Sequence, residues 1–260
     1  MLFIAFFPQM GKHRLYCEFS LPILGQQMYH LHIANKNYSS WSLRPWLLMT
    51  ELDIEFTEIM NPFEENGSWH KFRKFSPSGL VPCLNHQKSK TLDEINVWDS
   101  LAITEYLAEH DKRVWPENIT ARAWARSATA EMHSGFPALR NYCPMNCGLR
   151  IQFNEQPAAL NKDISRLEEL WQQGFNNFGG PFLAGDKFTA VDAFYAPVIF
   201  RLQTYGLKVN EVATSYMEHM LVRKPMQTWY DEALAEEWRD IAHEEEIAES
   251  STIIKDLRNR

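Results

Sequence analysis

The apolar pattern of this chain changes its period once, near residue 112, and that change limits the folds the chain can adopt. Before this point, short strand-like segments alternate with helical ones. From Ile119 onward we find only helical spacing and expect no strand. The intervening "KRVWPEN" is typical of a linker. The sequence therefore predicts an α/β domain over residues 29–111 and an all-α domain over residues 117–240.

Both ends of the chain carry segments outside these two domains. We interpret residues 1–28 as an N-terminal extension. Because they begin with the apolar "MLFIAFF", a cleaved secretion signal is the alternative. Residues 241–260 are rich in charged side chains, and we expect a solvated helix or a frayed tail there.

The pattern of the first domain predicts a particular order of elements. Tyr29–Asn35 and Glu55–Asn61 have the composition of strands, and the helical spacing between them favours a parallel β-α-β unit. The segments "VPCLNH" and 91–98 flank the polar "QKSK", which is typical of a β-hairpin. A further helix is expected to begin near Asp99.

Composition excludes several classes of function. The chain has 260 residues, is 45% hydrophobic and carries a formal net charge of -7, so we expect a globular protein that repels nucleic acids and anionic membranes. No apolar run reaches the roughly 18 residues that a membrane span requires. We therefore expect no nucleic-acid or membrane partner, and a cytoplasmic location.

The cysteines and histidines do not form the spacing of a disulfide framework or a metal site. His30 and His32 share one face of the first predicted strand, but they lack a nearby third ligand. We therefore expect two sheet histidines and no metal. The cysteines are few and irregularly spaced, as reduced thiols in a cytosolic protein are: Cys17, Cys83, Cys143 and Cys147.

Pro45 fixes the start of the helix that follows the first strand. Proline lacks a backbone donor and is best tolerated in the first turn, so we expect the N-cap near Trp41 or Ser42. Ser39 and Ser40 would then lie in the preceding turn, beside the free N–H groups of the helix. Such a place attracts anions, although two serines that only cap the helix are the alternative.

Two further segments suggest a peptide ligand. Val81 and Pro82 open a strand, where we expect a cis peptide bond that leaves the Val81 backbone free to pair with an extended peptide. Asp99 and Ser100 stand at another helix N-terminus, where Ser100 would bind a carboxylate and Asp99 an ammonium group. Glutathione has a thiol, a peptide backbone and an amino-acid end.

The chain resembles the glutathione transferases. The resemblance rests on "YSSWSLRPW", the Val-Pro pair, "DSLAITEYL" and "GDKFTAVDAFYAP", and it covers most of residues 29 to 240. It implies a thioredoxin-like α/β N-terminal domain followed by an all-α helical-bundle C-terminal domain. It also implies glutathione as co-substrate, a homodimer and a role in detoxification.

The resemblance also implies roles for single residues. "YSSWSLRPW" is similar to the serine-type, zeta-like pattern, which places the hydroxyl that donates to the glutathione sulfur on Ser39, with Ser40 as the alternative. Trp41 completes this segment of the expected glutathione site and replaces the cysteine of the zeta pattern. Because positions 39–41 hold no cysteine, we do not expect the mixed-disulfide chemistry of omega-like members.

The second substrate is expected to lie against the helix that carries "EMHSGFPALRNY". Its candidate side chains are His133, Phe136, Arg140 and Asn141. His133 is either catalytic or a satisfied histidine between the domains, and Arg140 either attracts an acidic substrate or forms a structural ion pair.

The expected activity is transfer of glutathione to small electrophiles. A glutathione-dependent isomerase or peroxidase is the first alternative. A non-catalytic glutathione-binding or assembly module of the same fold is the second.

Overall fold

A computed structural model describes residues 28–65, 67–87 and 94–258. Residues 1–27 of the expected extension, and residues 88–93 between the two hairpin strands, lie outside the described part of the chain.

The first part of the chain contains a four-stranded sheet with the strand order β2-β1-β3-β4. Strand β1 is parallel to β2 and antiparallel to β3, and β3 is antiparallel to β4. The predicted parallel β-α-β unit and the predicted hairpin are therefore confirmed. The elements are β1 Met28–Ile33, α1 Ser40–Glu51, β2 Thr57–Met60, α2 Trp69–Phe72, β3 Cys83–Gln87, β4 Glu94–Val97 and α3 Ser100–His110, followed by a 3₁₀ turn at Lys112–Val114.

The register of the sheet brings three chain segments to one edge. His32 near the end of β1 pairs with Cys83 at the start of β3, and Leu84 pairs with Val97 at the end of β4. The end of β1, the start of β3 and the end of β4 therefore lie side by side. The loops that carry the predicted site residues meet at this edge.

Helix α1 begins earlier than expected. Ser39 is the N-cap and Ser40 the first helical residue, so the expected N-cap near Trp41 or Ser42 is wrong. Pro45 lies in the second turn and removes one intrahelical hydrogen bond there. The helix tolerates this because its residues from Ser42 to Met49 are all buried, and tertiary packing outweighs the lost bond.

The second part of the chain is mainly helical. The expectation that no strand follows Ile119 is wrong, because β5 and β6 form an antiparallel pair. Each strand is short, and they come from distant parts of the chain, so local pattern gave little sign of their pairing. The elements are α4 Ile119–Ser134, α5 Pro137–Tyr142, β5 Leu149–Phe153, α6 Ala159–Phe178, α7 Ala190–Thr204, α8 Glu211–Leu221, α9 Lys224–Ala235, α10 Ile241–Ser250 and β6 Ser251–Asp256.

The charged C-terminal segment packs against the rest of the protein. It forms α10 and β6, and Ile247 is buried. The Arg258 side chain forms an ion pair with Glu244 and donates to the Tyr38 hydroxyl at 3.1 Å. The expectation of a fully solvated helix or frayed tail is therefore wrong in part, because acidic and basic residues of the tail pair with each other.

Helix α7 is the central helix of the core. Almost all its residues are buried, because α1 of the first domain and α4 of the second both pack on it. A capping box lies at its start: Asp192 accepts from the backbone N–H of Thr189 at 3.0 Å. Asp192 also accepts from Leu183 N–H and from the Tyr216 hydroxyl. No helix in the described part of the chain is long and apolar enough to cross a membrane.

The helical domain binds the loop between β1 and α1 through its backbone. The carboxylate of Glu236 accepts from the N–H groups of Lys36 and Asn37. The Trp229 indole donates to the Lys36 carbonyl at 2.9 Å, and Cys147 N–H donates to the Asn37 carbonyl at 3.2 Å. The polar backbone groups of a buried loop are thus satisfied by the other domain, which fixes the loop directly before Ser39.

We predict that Glu236→Ala lowers the free energy of unfolding by about 2 to 4 kcal/mol, because it leaves two buried backbone donors without an acceptor. Urea denaturation followed by circular dichroism measures the loss. The neighbouring Glu237 is exposed, and Glu237→Ala is the matched control, expected to change stability by less than about 0.5 kcal/mol. Equal effects of the two substitutions would contradict the assigned role of Glu236.

Candidate active site

The residues predicted from three separate motifs meet at the sheet edge described above. Ser39 and Ser40 follow β1, Val81 precedes β3, and Asp99 with Ser100 follows β4. Both serine hydroxyls at the start of α1 lie beside the free N–H groups of that helix, where peptide dipoles favour negative charge.

The two adjacent serines have different hydrogen-bond partners. Ser39 Oγ donates to Ser42 Oγ at 2.7 Å, and Ser42 Oγ also accepts from Ala34 N–H at 3.2 Å. Ser40 Oγ accepts from the guanidinium of Arg201 at 3.2 Å, so its own proton remains available for another acceptor. Both serines are buried, at 5% and 6% exposure. Neither hydroxyl caps the helix, so the capping alternative does not describe them.

The Val81-Pro82 peptide bond is cis, as predicted. Strand β3 begins only at Cys83, and no hydrogen bond of the Val81 backbone is formed within the described residues. Val81 is half-buried and Pro82 is buried. The Val81 backbone therefore offers one donor and one acceptor to an extended peptide.

Asp99 and Ser100 lie at the start of α3. Asp99 is the N-cap, and its Oδ1 accepts from Leu101 N–H at 2.9 Å and from Ala102 N–H. Its side chain is 53% exposed and can reach a ligand. The Ser100 Oγ is buried and has no hydrogen-bond partner among the described residues. An unpaired buried hydroxyl at a helix N-terminus is suited to bind a carboxylate.

His133 at the end of α4 reaches across from the helical domain. Its Nε2 lies 3.2 Å from Asp99 Oδ2, and its ring packs edge-on against Trp41 with a centroid distance of 5.4 Å. Burial lowers the pKa of His133, although Asp99 acts in the opposite direction. The imidazole is therefore neutral at pH 7, and a neutral ring donates Nε2–H to Asp99.

The other three predicted residues of this segment occupy different positions. Arg140 stacks on the Trp41 ring, 4.8 Å from its centroid, and donates to the carbonyls of Met132, His133 and Gly135 at the end of α4. Phe136 is buried against Tyr195. Asn141 is exposed, and its side chain makes no hydrogen bond within the described residues, so its place at the site stays a prediction.

Two charged residues that pack against the predicted site residues, Arg44 and Arg201, are not among those predicted from the sequence. Arg44 on α1 packs over the Trp41 ring at 4.2 Å and over the Phe194 ring at 4.7 Å. Arg201 on α7 is 6% exposed and donates to Ser40. Each is a charged residue within an otherwise apolar helical run, "LRPWLL" and "VIFRLQ", and this is the pattern that identifies them.

The described cysteines are buried, and we expect this burial to make their thiols unreactive. Burial raises the pKa of Cys83 to about 11 and that of Cys143 to about 12, and it also raises the pKa of Cys147. None lies in the segment around Ser39, which is consistent with a hydroxyl and not a thiolate at that place. Within the described residues, no three His, Cys, Asp or Glu side chains are grouped as metal ligands would be.

Comparison with protein families identifies this arrangement. The family model described as "Glutathione S-transferase, N-terminal domain" matches residues 38–110, and the one described as "Glutathione S-transferase, C-terminal domain" matches residues 151–239. The chain belongs to the glutathione S-transferase family. The first match contains Ser39, Val81, Asp99 and Ser100, so one glutathione transferase domain carries all three predicted segments. The predicted fold, a thioredoxin-like domain followed by a helical domain, is confirmed.

Several solved structures share this fold. A glutathione transferase homolog from Burkholderia GL BGR1 with bound glutathione is 21% identical, with a TM-score of 0.59, covering 79% of this chain and 98% of its own. Glutathione transferase Omega 1C from Trametes versicolor is 17% identical, with a TM-score of 0.61 and coverage of 90% and 100%. Maleylacetoacetate isomerase from Anaeromyxobacter dehalogenans 2CP-1 is 18% identical, with a TM-score of 0.57 and coverage of 80% and 93%. At these identities the likeness shows the fold alone. No curated protein sequence matches the chain significantly.

We predict that Cys83, Cys143 and Cys147 resist alkylation in the native protein. A thiol with a pKa of about 11 is ionised in only about one molecule in ten thousand at pH 7. Treatment with iodoacetamide followed by peptide mass mapping should leave these residues unmodified, whereas the same peptides should react fully in guanidinium. Rapid native labelling of any of the three would contradict their burial.

Proposed function

We propose that the protein is a glutathione transferase that activates the glutathione thiol through the hydroxyl of Ser39 and conjugates it to small electrophiles. The observation that carries this proposal is the meeting of three segments at one sheet edge. Ser39 and Ser40 suit the thiol, the Val81 backbone suits the cysteinyl peptide groups, and Asp99 with Ser100 suits the γ-glutamyl end.

The γ-glutamyl end of glutathione carries both a carboxylate and an ammonium group. The Ser100 hydroxyl is unpaired and stands at the start of α3, where free N–H groups favour a carboxylate. The exposed carboxylate of Asp99 lies next to it and complements an ammonium group. The carboxylate of this end would therefore lie beside the partial positive charge of the helix start, and the ammonium group beside the negative charge of Asp99.

Activation of the thiol requires a modest free energy. A thiol of pKa ~8.5 is mostly protonated at neutral pH, and lowering its pKa by roughly two units requires about 2.7 kcal/mol in favour of the thiolate. One hydrogen bond to a charged acceptor supplies about 1.5 to 3 kcal/mol, and a helix N-terminus adds about 0.3 to 1 kcal/mol. The serine and the start of α1 together supply about 1.8 to 4 kcal/mol, a range that includes the required free energy.

The proposed reaction is a nucleophilic transfer. The thiol proton leaves to solvent, and the sulfur lone pair forms a bond to an electrophilic carbon while the leaving group departs with its bonding electrons. In an addition to a double bond, the electrons move to the adjacent carbon instead, which then takes a proton from solvent. The electrophile would lie between the sheet edge and the end of α4, beside Trp41, His133, Phe136 and Arg140.

We predict that Ser39→Ala raises the pKa of enzyme-bound glutathione by about one to two units and lowers kcat/KM at pH 7 by about ten- to a hundredfold. Glutathione affinity should change by less than about threefold, because the serine acts on the thiolate and not on the tripeptide backbone. Ultraviolet titration of the bound thiolate and steady-state kinetics measure these effects.

Ser40→Ala is the matched comparison, because Ser40 is the adjacent hydroxyl with equal burial. A larger rise in the thiol pKa for Ser40→Ala than for Ser39→Ala would transfer the activating role to Ser40. No rise in either variant would contradict serine activation altogether.

We predict that Ser100→Ala weakens glutathione binding by about tenfold, with kcat changed by less than about twofold, because it removes one hydrogen bond to a charged group far from the sulfur. Isothermal titration calorimetry gives the affinity. Ser127→Ala on the exposed side of α4 is the control. An unchanged affinity in Ser100→Ala would remove this residue from the site.

Two other activities of this fold are separable by product analysis. A glutathione-dependent isomerase would interconvert unsaturated diacids without consuming glutathione, and a peroxidase would oxidise glutathione with hydroperoxides. A non-catalytic binding module is favoured by one observation, since the Ser39 proton points to Ser42 and not to the cleft. Such a module would bind glutathione but show no turnover across a panel of electrophiles.

We further propose that the protein is a cytoplasmic homodimer with a role in detoxification. The cytoplasm supplies reduced glutathione and keeps thiols reduced, which suits the free Cys83, Cys143 and Cys147. Sedimentation equilibrium would give the mass of the assembly.

A further inference from the structure

The guanidinium of Arg44 is buried and has no polar partner in the part of the chain that the structure describes. Arg44 is 1% exposed, and its Nε and Nη1 atoms form no hydrogen bond with any described residue. Among the described residues its side chain contacts two aromatic rings, those of Trp41 and Phe194, and forms no ion pair. A buried arginine normally forms several hydrogen bonds, because desolvation of an unpaired guanidinium is strongly unfavourable.

The charges around Arg44 are mainly positive. Arg140 packs against the Trp41 ring that Arg44 also contacts, and both Arg140 and Arg201 lower the pKa of Arg44 further than burial alone does. Asp99 acts in the opposite direction, but its carboxylate already lies 3.2 Å from His133 and caps α3. This site therefore has an excess of positive charge.

The neighbouring arginines have structural partners, whereas Arg44 does not. Arg140 donates to three carbonyls at the end of α4, and Arg201 donates to the Cys143 carbonyl and to Ser40. Those bonds explain why Arg140 and Arg201 are present. No hydrogen bond within the described residues uses the Nε and Nη1 donors of Arg44, so both remain available to a bound group.

We propose that Arg44, supported by Arg140 and Arg201, forms a subsite for a carboxylate on the electrophilic substrate. This inference rests on the proposed function and names its substrate class: small electrophiles that carry a carboxylate group. The planar guanidinium offers paired donors that match the two oxygens of a carboxylate. Trp41, which packs on Arg44, and His133, which packs on Trp41, are both partly exposed.

The domains that supply the subsite residues indicate which molecule carries the bound carboxylate. They favour the electrophile and not glutathione. Two of its three arginines belong to the helical domain, and Phe194 on α7 also contributes. The segments proposed to bind glutathione all belong to the first domain, and Ser100 already provides for the γ-glutamyl carboxylate. Arg44 faces the interface between the domains, where the second substrate would lie.

The test compares two inert conjugates that differ in one charge, S-(4-carboxybenzyl)glutathione and S-(4-carbamoylbenzyl)glutathione. Calorimetry measures the dissociation constant of each, so the result does not depend on turnover. The native protein should bind the carboxylate at least about tenfold more tightly than the amide, since a hydrogen-bonded charge contributes about that much.

Arg44→Met should remove this preference and leave the affinity for the amide within about threefold of the native value. Methionine has a similar length and an apolar surface that suits the two rings, so the variant should melt no lower than the native protein. Arg44→Lys, which keeps the charge but loses the paired donors, should give an intermediate preference and also serves if Arg44→Met fails to fold. Arg126→Met is the matched control, because Arg126 also stacks on a tryptophan, Trp115, but is exposed and paired with Glu105.

Three results would overturn the proposal. The first is equal binding of both conjugates by the native protein, and the second is a preference that survives in Arg44→Met. The third is a loss of affinity for glutathione itself in Arg44→Met as large as that for the carboxylate conjugate, which would assign Arg44 to the tripeptide.

A failure of the proposed function would give a different result from a failure of the carboxylate subsite. If the native protein binds neither conjugate, the glutathione site is refuted, and thermal stabilisation by benzoate against benzamide then decides the subsite alone. Stabilisation by benzoate that is lost in Arg44→Met would support the anion site, and an absence of stabilisation would overturn it.

Discussion

The structure depends on how the helical domain holds the peptide groups of Lys36 and Asn37. This loop ends at Ser39, so any movement of it displaces the hydroxyls at the start of α1. Its backbone donors are bound by Glu236, and its carbonyls are bound by Trp229 and Cys147. A turn that carries function on an isolated thioredoxin-like domain would be solvated and mobile. Here the second domain replaces solvent, and the position of the Ser39 hydroxyl depends on how the two domains pack together.

Other contacts between the domains act at the same place. Arg201 on α7 donates to Ser40, and His133 on α4 lies against Asp99 at the start of α3. Each joins a residue of the proposed glutathione site to the helical domain. The two domains therefore do more than enclose a cleft between them, because the helical domain sets the hydrogen bonding of Ser40 and the orientation of the Asp99 carboxylate. A change in α4 or α7 that never touches a ligand is expected to act on the glutathione site through these bonds.

Particular residues show how far sequence could predict this site. The cis bond at Val81-Pro82 and the helix start at Asp99-Ser100 could be predicted because both depend on local sequence. The N-cap was predicted near Trp41 or Ser42, but it is Ser39. The prediction is wrong because tertiary burial of α1 overrides the preference of Pro45 for the first turn. The β5-β6 pair was missed, because pairing between distant short strands has no local cause. Arg44 and Arg201 were missed for a related reason: only the packing of both domains decides whether a cation in an apolar run is buried and which groups it contacts.

The hydrogen bond between Ser39 and Ser42 affects how the proposed site would distinguish the thiolate of glutathione from its neutral thiol. In the free protein Ser39 donates to a neutral hydroxyl, and a neutral bond contributes about 0.5 to 1.5 kcal/mol. A neutral thiol is a weak acceptor and cannot compete with Ser42 for this proton. A thiolate can, because a bond to a charged acceptor is roughly twice as strong. Ser39 would therefore turn from Ser42 to the sulfur only when the sulfur is ionised, and this difference in free energy appears directly as a lower pKa of the bound thiol. In the proposed activation Ser42 is therefore a competitor for this proton, because it sets the free energy that a bond from Ser39 to the ionised sulfur must exceed.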